Sequence, residues 1–218
     1  MNKNKIFEEL PLIKEVILRG TKHPEVFYIG KGKTGSASIF KGITDKSICH
    51  WHGTQYYERI HNTNILSQNN LTIYDYIEWV DQNIHPVFVI ECYRDPISQF
   101  VSSLFQWFGS LNIDKVNQIL HDFFPKITFQ KELEKPNSYL NVIYLKTENS
   151  SNWENELEKY NIHYKNNIAN KQTSLKYHQI KSLIKLPKWK LDLIYSDNKI
   201  TKLYTKEEIK KFYEKWQY

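Results

Sequence analysis

The segment Pro86-Val87-Phe88-Val89-Ile90-Glu91-Cys92-Tyr93 is apolar on both faces for most of its length. A strand of this kind suits the interior of a sheet covered on both sides, because a half-exposed strand alternates polar and apolar positions. Arg94-Asp95-Pro96 closes it, and Pro96 suits the first turn of a helix with apolar positions at Ile97, Phe100, Val101, Leu104, Phe105 and Phe108. Val26-Phe27-Tyr28-Ile29 is a second buried-type run, ended by Gly30, and Ser36 to Gly42 opens a helix after it. Ser47 to Trp51 and Val142 to Leu145 read as further strands. Thr72 to Asn83 reads as an amphipathic helix with Thr72 as N-cap, and Lys5 to Leu18 as a short helix broken at Pro11. A capping box at Thr205-Lys206-Glu207-Glu208 starts a last helix with Ile209, Phe212, Tyr213 and Trp216 on one face. Strands alternating with helices imply an α/β fold, a three-layer sandwich with a central, mostly parallel sheet flanked by helices and a helical C-terminal part.

The chain has 218 residues, 40% of them hydrophobic, with six Trp, fifteen Tyr and eleven Phe, enough to build a core without staples. Its length and the absence of linkers or repeats point to one domain over 1–218. Cys49 and Cys92 lie far apart with no CxxC pattern, so neither a disulfide framework nor a structural zinc site is expected; both read as buried strand thiols in a reducing compartment. No apolar run reaches the roughly 18 residues of a membrane span, and charges interrupt the N-terminal stretch, so the expected location is cytoplasmic. Thirty Lys and Arg against twenty-four Asp and Glu give a net charge of +6, which favours an anionic partner.

The most informative stretch is Gly30-Lys31-Gly32-Lys33-Thr34-Gly35-Ser36-Ala37-Ser38, directly after the first buried-type strand. Its glycines let backbone N–H groups converge on an anion, Lys33 adds a point charge, and the hydroxyls sit where a helix begins. A Walker A loop would need a glycine five positions before Gly32, where Phe27 stands. The run Lys33, Thr34, Gly35, Ser36, Ala37, Ser38 instead resembles the 5′-phosphosulfate loop of sulfotransferases. A second motif of that family, an arginine ending a strand and a serine eight residues on, has its counterpart in Arg94 and Ser102. An arginine fork and a hydroxyl at that spacing can converge on one dianion. Asn170-Lys171, Trp189, the stretch from Tyr195 to Thr205 and the closing helix to Trp216 resemble a bacterial family of capsular polysaccharide synthesis proteins, itself sulfotransferase-like.

The resemblance implies an enzyme that uses 3′-phosphoadenosine 5′-phosphosulfate, releases 3′-phosphoadenosine 5′-phosphate, needs no metal, and acts on a hydroxyl of a glycan or other small acceptor. It implies donor contacts from Lys33, Thr34, Gly35, Ser36, Ala37, Ser38, Arg94 and Ser102, with Lys199 and Lys202 in the place of a C-terminal basic loop. The partners implied are the acceptor and, peripherally, a glycan-assembly machinery, with no nucleic acid. Lys33 would stabilise the leaving oxygen. The acceptor's base is expected in Cys49-His50-Trp51-His52-Gly53, with His52 first and His50 second, since both point to one side of an extended segment and imidazole titrates near neutrality. Trp51, Tyr56, Tyr57, Trp107 and Phe108 are candidates for a sugar platform or for core packing. Two other classes stay open: a nucleotide kinase or NTPase with Glu91 as a Walker-B-like acid, and a non-catalytic polyanion-binding protein.

Overall fold

The computed structural model describes residues 3–8, 16–30, 34–51, 65–108, 112–123, 140–166 and 175–218, without the side chains at 65, 67, 106–108, 121, 123, 175, 176 and 199. In chain order the elements are α1 (Lys3–Glu8), β1 (Val16–Ile17), β2 (Val26–Ile29), α2 (Ser36–Gly42), β3 (Ile48–Trp51), α3 (Ile65–Gln68), α4 (Ile73–Asn83) and β4 (Phe88–Tyr93). There follow α5 (Pro96–Phe108), α6 (Ile113–Phe123), β5 (Asn141–Lys146), a 3₁₀ turn (Thr147–Asn152) and α7 (Trp153–Glu158). The last four are α8 (Leu175–Leu183), α9 (Lys188–Tyr195), α10 (Asn198–Leu203) and α11 (Lys206–Trp216). The chain divides into two compact units, one formed by residues 1–93 and 132–170, the other by 94–131 and 171–218.

The first unit holds a five-stranded sheet in the order β1-β3-β2-β4-β5, parallel except for β1, so the fold class is α/β. Val26, Phe27, Tyr28 and Ile29 are all buried, as the apolar run requires of a strand paired on both edges and covered on both faces. Val26 and Tyr28 pack with Ile39 of α2 and Ile43 just after it, Ile90 and Cys92 of β4, and Trp153 and Leu157 of α7. Phe27 and Ile29 face the other way, toward Phe7 of α1 and Ile73, Tyr76 and Ile77 of α4. Placing α2 and α4 on opposite faces follows from the strand order: β3 lies on one side of β2 and β4 on the other, and right-handed crossovers then use different faces. Cys49 and Cys92 are buried free thiols on β3 and β4.

Val16 and Ile17, expected from the sequence in a helix, are a correction. They form the edge strand β1, antiparallel to β3, with Val16 opposite Cys49 and Ile17 opposite Ile48. Two β-branched residues supply this pairing, and such short edges offer little template for a further chain. The helix over this stretch is confined to Lys3–Glu8 among the described residues. Thr72 caps α4 as expected, in a reciprocal box with Asp75.

The second unit is helical. Ile97, Val101 and Leu104 of α5, Val116 and Leu120 of α6, Leu191 and Ile194 of α9, and Phe212 and Trp216 of α11 share one buried cluster. The Thr205 and Glu208 capping box opens α11.

His23, buried in the first unit, has its Nδ1 2.7 Å from the Tyr76 hydroxyl and its ring edge-on to Trp79. Burial, then the neighbouring Lys22 and His85, hold its pKa below the ordinary 6.5. The folded state therefore binds this proton less readily than the unfolded chain, so stability is full above about pH 6.5 and declines as pH falls below it. Urea midpoints measured across this range should decline on acidification, and His23→Gln should flatten part of that decline; an unchanged slope would contradict the assignment.

Candidate functional site

The parallel strands leave Gly30 and the stretch from Glu91 to Tyr93 at the carboxyl ends of β2 and β4. Because the strand order reverses at β2, these ends form the topological switch point, the position where open α/β sheets bind ligands. The glycine- and hydroxyl-rich loop singled out in the sequence therefore leaves the sheet at that point. Thr34 is buried, and its Oγ1 lies 2.7 Å from the Tyr28 hydroxyl, which anchors the loop to β2. Burial pushes the Tyr28 phenol well above its usual range and does the same to the adjacent Cys92 thiol, so both stay protonated as hydrogen-bonding groups.

Gly35 occupies the N-cap of α2 in a left-handed conformation, φ 87°, and Gly35 O accepts from Ser38 N and Ile39 N. Two constraints require glycine there. Positive φ is costly for other residues, and a Cβ would come within 2.4 Å of Trp153 Cη2. No side chain caps the start of α2. Ser36 and Ser38 are buried on α2, and Ala37 is partly exposed. Lys33 and His52 lie outside the described residues.

His50 is buried on β3, edge-on to Tyr28 at 5.2 Å and against Phe40 at 5.7 Å. It is thus on the same sheet face as Tyr28 and the loop it anchors. On the opposite face, Tyr93 Oη donates to the buried carboxylate of Glu91 at 2.5 Å, and the Tyr93 and Tyr144 rings meet at 5.8 Å. Thr147 Oγ1 donates to Tyr93 O at 2.9 Å, fixing the end of β4 to the chain after β5. Trp51 is half-buried at the end of β3; Tyr56 and Tyr57, and the side chains of Trp107 and Phe108, lie outside the described residues. Among the described residues no group of three or more His, Cys, Asp or Glu is arranged to hold a metal ion.

In the second unit, Arg94 and Ser102 are both half-buried, Ser102 on α5. Between them lies a residue whose part in the fold the sequence does not show. Asp95 is fully buried and caps α5: its carboxylate accepts from Ile97 N, Ser98 N and Ser98 Oγ, and its carbonyl from Gln99 N. Tyr195 Oη donates to it at 2.7 Å and Trp216 Nε1 at 2.9 Å, while Lys215 Nζ donates to Ser98 Oγ at 3.1 Å. The Asp-Pro pair could have signalled an N-cap, but nothing local marks partners 100 and 121 positions away. Lys202 is exposed on α10, and Lys199 is on the same helix, so the expected basic loop is helical in this stretch.

No family model, curated protein or solved structure matches the chain.

Gly35→Ala combines left-handed strain with the Trp153 clash and should cost about 2 kcal/mol or more in urea denaturation, and a neutral result would contradict the loop geometry. Asp95→Ala should cost about 3–5 kcal/mol, because it strands two buried donors and removes a cap, whereas Trp216→Phe, which loses one bond, should cost about 1–3 kcal/mol.

Proposed function

We propose that the chain is a sulfuryl transferase, with 3′-phosphoadenosine 5′-phosphosulfate as donor and a hydroxyl of a glycan or glycan precursor as acceptor. The observation that supports this reading is that Thr34 and Gly35 lead into α2 after β2, at the carboxyl edge of a parallel sheet, with Gly35 as the cap and the Thr34 hydroxyl anchored on Tyr28. A loop of that form supplies backbone N–H donors and a lysine to the phosphosulfate end of the donor. Arg94 and Ser102 are assigned the donor's 3′-phosphate from the sequence pattern.

In the reaction the acceptor oxygen attacks sulfur as the bond between sulfur and the bridging phosphate oxygen breaks, and the nucleotide bisphosphate leaves. Charge grows on that bridging oxygen, where Lys33 is assigned. The acceptor proton passes to a base, assigned to His52 with His50 as second choice. Alignment of the two oxygens about sulfur and stabilisation of the leaving group supply the catalysis, as in phosphoryl transfer. A role in capsular or other surface polysaccharide assembly is the biological setting in keeping with the resemblance.

Calorimetric titration with 3′-phosphoadenosine 5′-phosphate in chelator tests the reading. Micromolar, metal-independent binding is expected, weakened by about tenfold or more in Arg94→Ala through loss of a charge-assisted contact. Preference for ADP with magnesium would instead establish a kinase-type site, and binding of neither would contradict both. Once an acceptor is in hand, Lys33→Ala should lower turnover by about 10²–10³. His52→Ala should cut turnover with donor affinity retained; full turnover in that variant would remove His52 as the base.

A further inference from the structure

The chain's excess positive charge is confined to the second unit. Residues 94–131 and 171–218 carry sixteen Lys and Arg against eight Asp and Glu, whereas the remainder carries fourteen against sixteen. Among the described residues of this unit four large apolar side chains face solvent: Leu183 at 61%, Trp189 at 57%, Leu193 at 55% and Tyr218 at 84% exposure. Helix α9 buries Leu191, Ile194 and Tyr195, so Trp189 and Leu193, one turn apart, form a stripe on its outer side. A backbone bridge pairs Leu186 with Gln217, and Leu186 N donates to Trp216 O at 2.7 Å, which sets Tyr218 beside the turn leading into α9.

Lysines border this stripe. Lys188 is exposed at the start of α9, where it pairs with Asp192 at 2.8 Å, whereas Lys190 is buried, its ammonium 5.3 Å from the Trp189 ring centroid. Lys185 lies half-buried in the turn before α9, donating to Lys215 O at 2.9 Å, while the Lys215 ammonium is engaged by Ser98 Oγ and the buried Asp95. Asp192 is the single acid on α9, and it is engaged by Lys188 and by Tyr213 Oη.

We propose that this face docks the protein onto an anionic phospholipid surface. Indole and phenol rings favour the boundary between headgroups and acyl chains, leucines gain by entering it, and lysines are drawn to acidic headgroups. A nucleic acid or a dissolved polyanion would engage the lysines yet leave Trp189 and Leu193 in water, so the combination of the two chemistries selects a lipid surface. The contact is peripheral, made by side chains of α9 and the turn before it. It stands independently of the sulfuryl-transfer reading.

The test is co-sedimentation of the full chain with vesicles of phosphatidylcholine alone and of phosphatidylcholine mixed with phosphatidylglycerol. The protein should pellet with the mixed vesicles and much less with the neutral ones. Trp189→Ser combined with Leu193→Ser, both at exposed positions, should lower the partition coefficient by about tenfold or more while circular dichroism stays unchanged. Lys185→Glu combined with Lys188→Glu should weaken binding and reduce its salt dependence. A wild-type chain that stays in the supernatant with mixed vesicles overturns the proposal. Binding that survives loss of both apolar side chains also overturns it, by assigning the face to a polyanion. So does a concentration-dependent dimer abolished by Trp189→Ser and Leu193→Ser without vesicle binding, which would assign the face to a second copy of the chain.

Discussion

Strand β2 is hydrogen-bonded on both edges and buried on both faces, and the first unit is organised around that confinement. Its register with β3 and β4 levels Ile29 with Trp51 and Glu91, so β2 and β3 end together, β4 runs two residues further, and the loop after Gly30 emerges beside it. A one-residue slip of β2 would turn Phe27 and Ile29 toward α2 and Tyr28 toward α4, exchanging the faces of every side chain. The Tyr28 hydroxyl would then lose Thr34. The position of the candidate loop is thus a consequence of strand register, and register is fixed by two apolar clusters on opposite faces of the sheet.

The second unit is organised around a polar centre. Asp95 gathers the start of α5, the end of α9 and the end of α11 through bonds to Ser98, Tyr195 and Trp216. A carboxylate without exposure is costly unless its lone pairs are filled, and here backbone, hydroxyl and indole donors fill them. Arg94 immediately precedes this residue, so the backbone carrying the arginine is held by the cap of α5. The geometry makes Asp95 a positioning residue for that stretch.

Much of the sheet could be read from sequence because its strands carry their own evidence of burial. Val26 to Ile29 and the run ending at Tyr93 contain no alternation that would allow a solvent face, and Thr72 and Thr205 announce their helices by caps that act within three residues. Val16 and Ile17 could not be read, since two residues have no periodicity and become a strand only through Ile48 and Cys49 on β3. The Asp95 centre was hidden for the same reason, its partners being distant in sequence. The interleaving of two units was hidden too: the chain leaves the first at Arg94 and returns before β5, with no linker composition to mark either passage. Within the candidate site, the loop motif and its place after a buried strand were legible, whereas the anchoring of Thr34 by Tyr28 and the closeness of Trp153 to Gly35 required the folded chain.

In the proposed reaction the loop leading into α2 holds the phosphosulfate end of a nucleotide without metal. Hydrogen–deuterium exchange of the full chain with 3′-phosphoadenosine 5′-phosphate in chelator tests this at the residues concerned. The account predicts slowed exchange over the peptide spanning Thr34 to Ile39, absent when adenosine replaces the bisphosphate. Unchanged exchange in that peptide under saturating nucleotide, or protection confined to other segments, would contradict it.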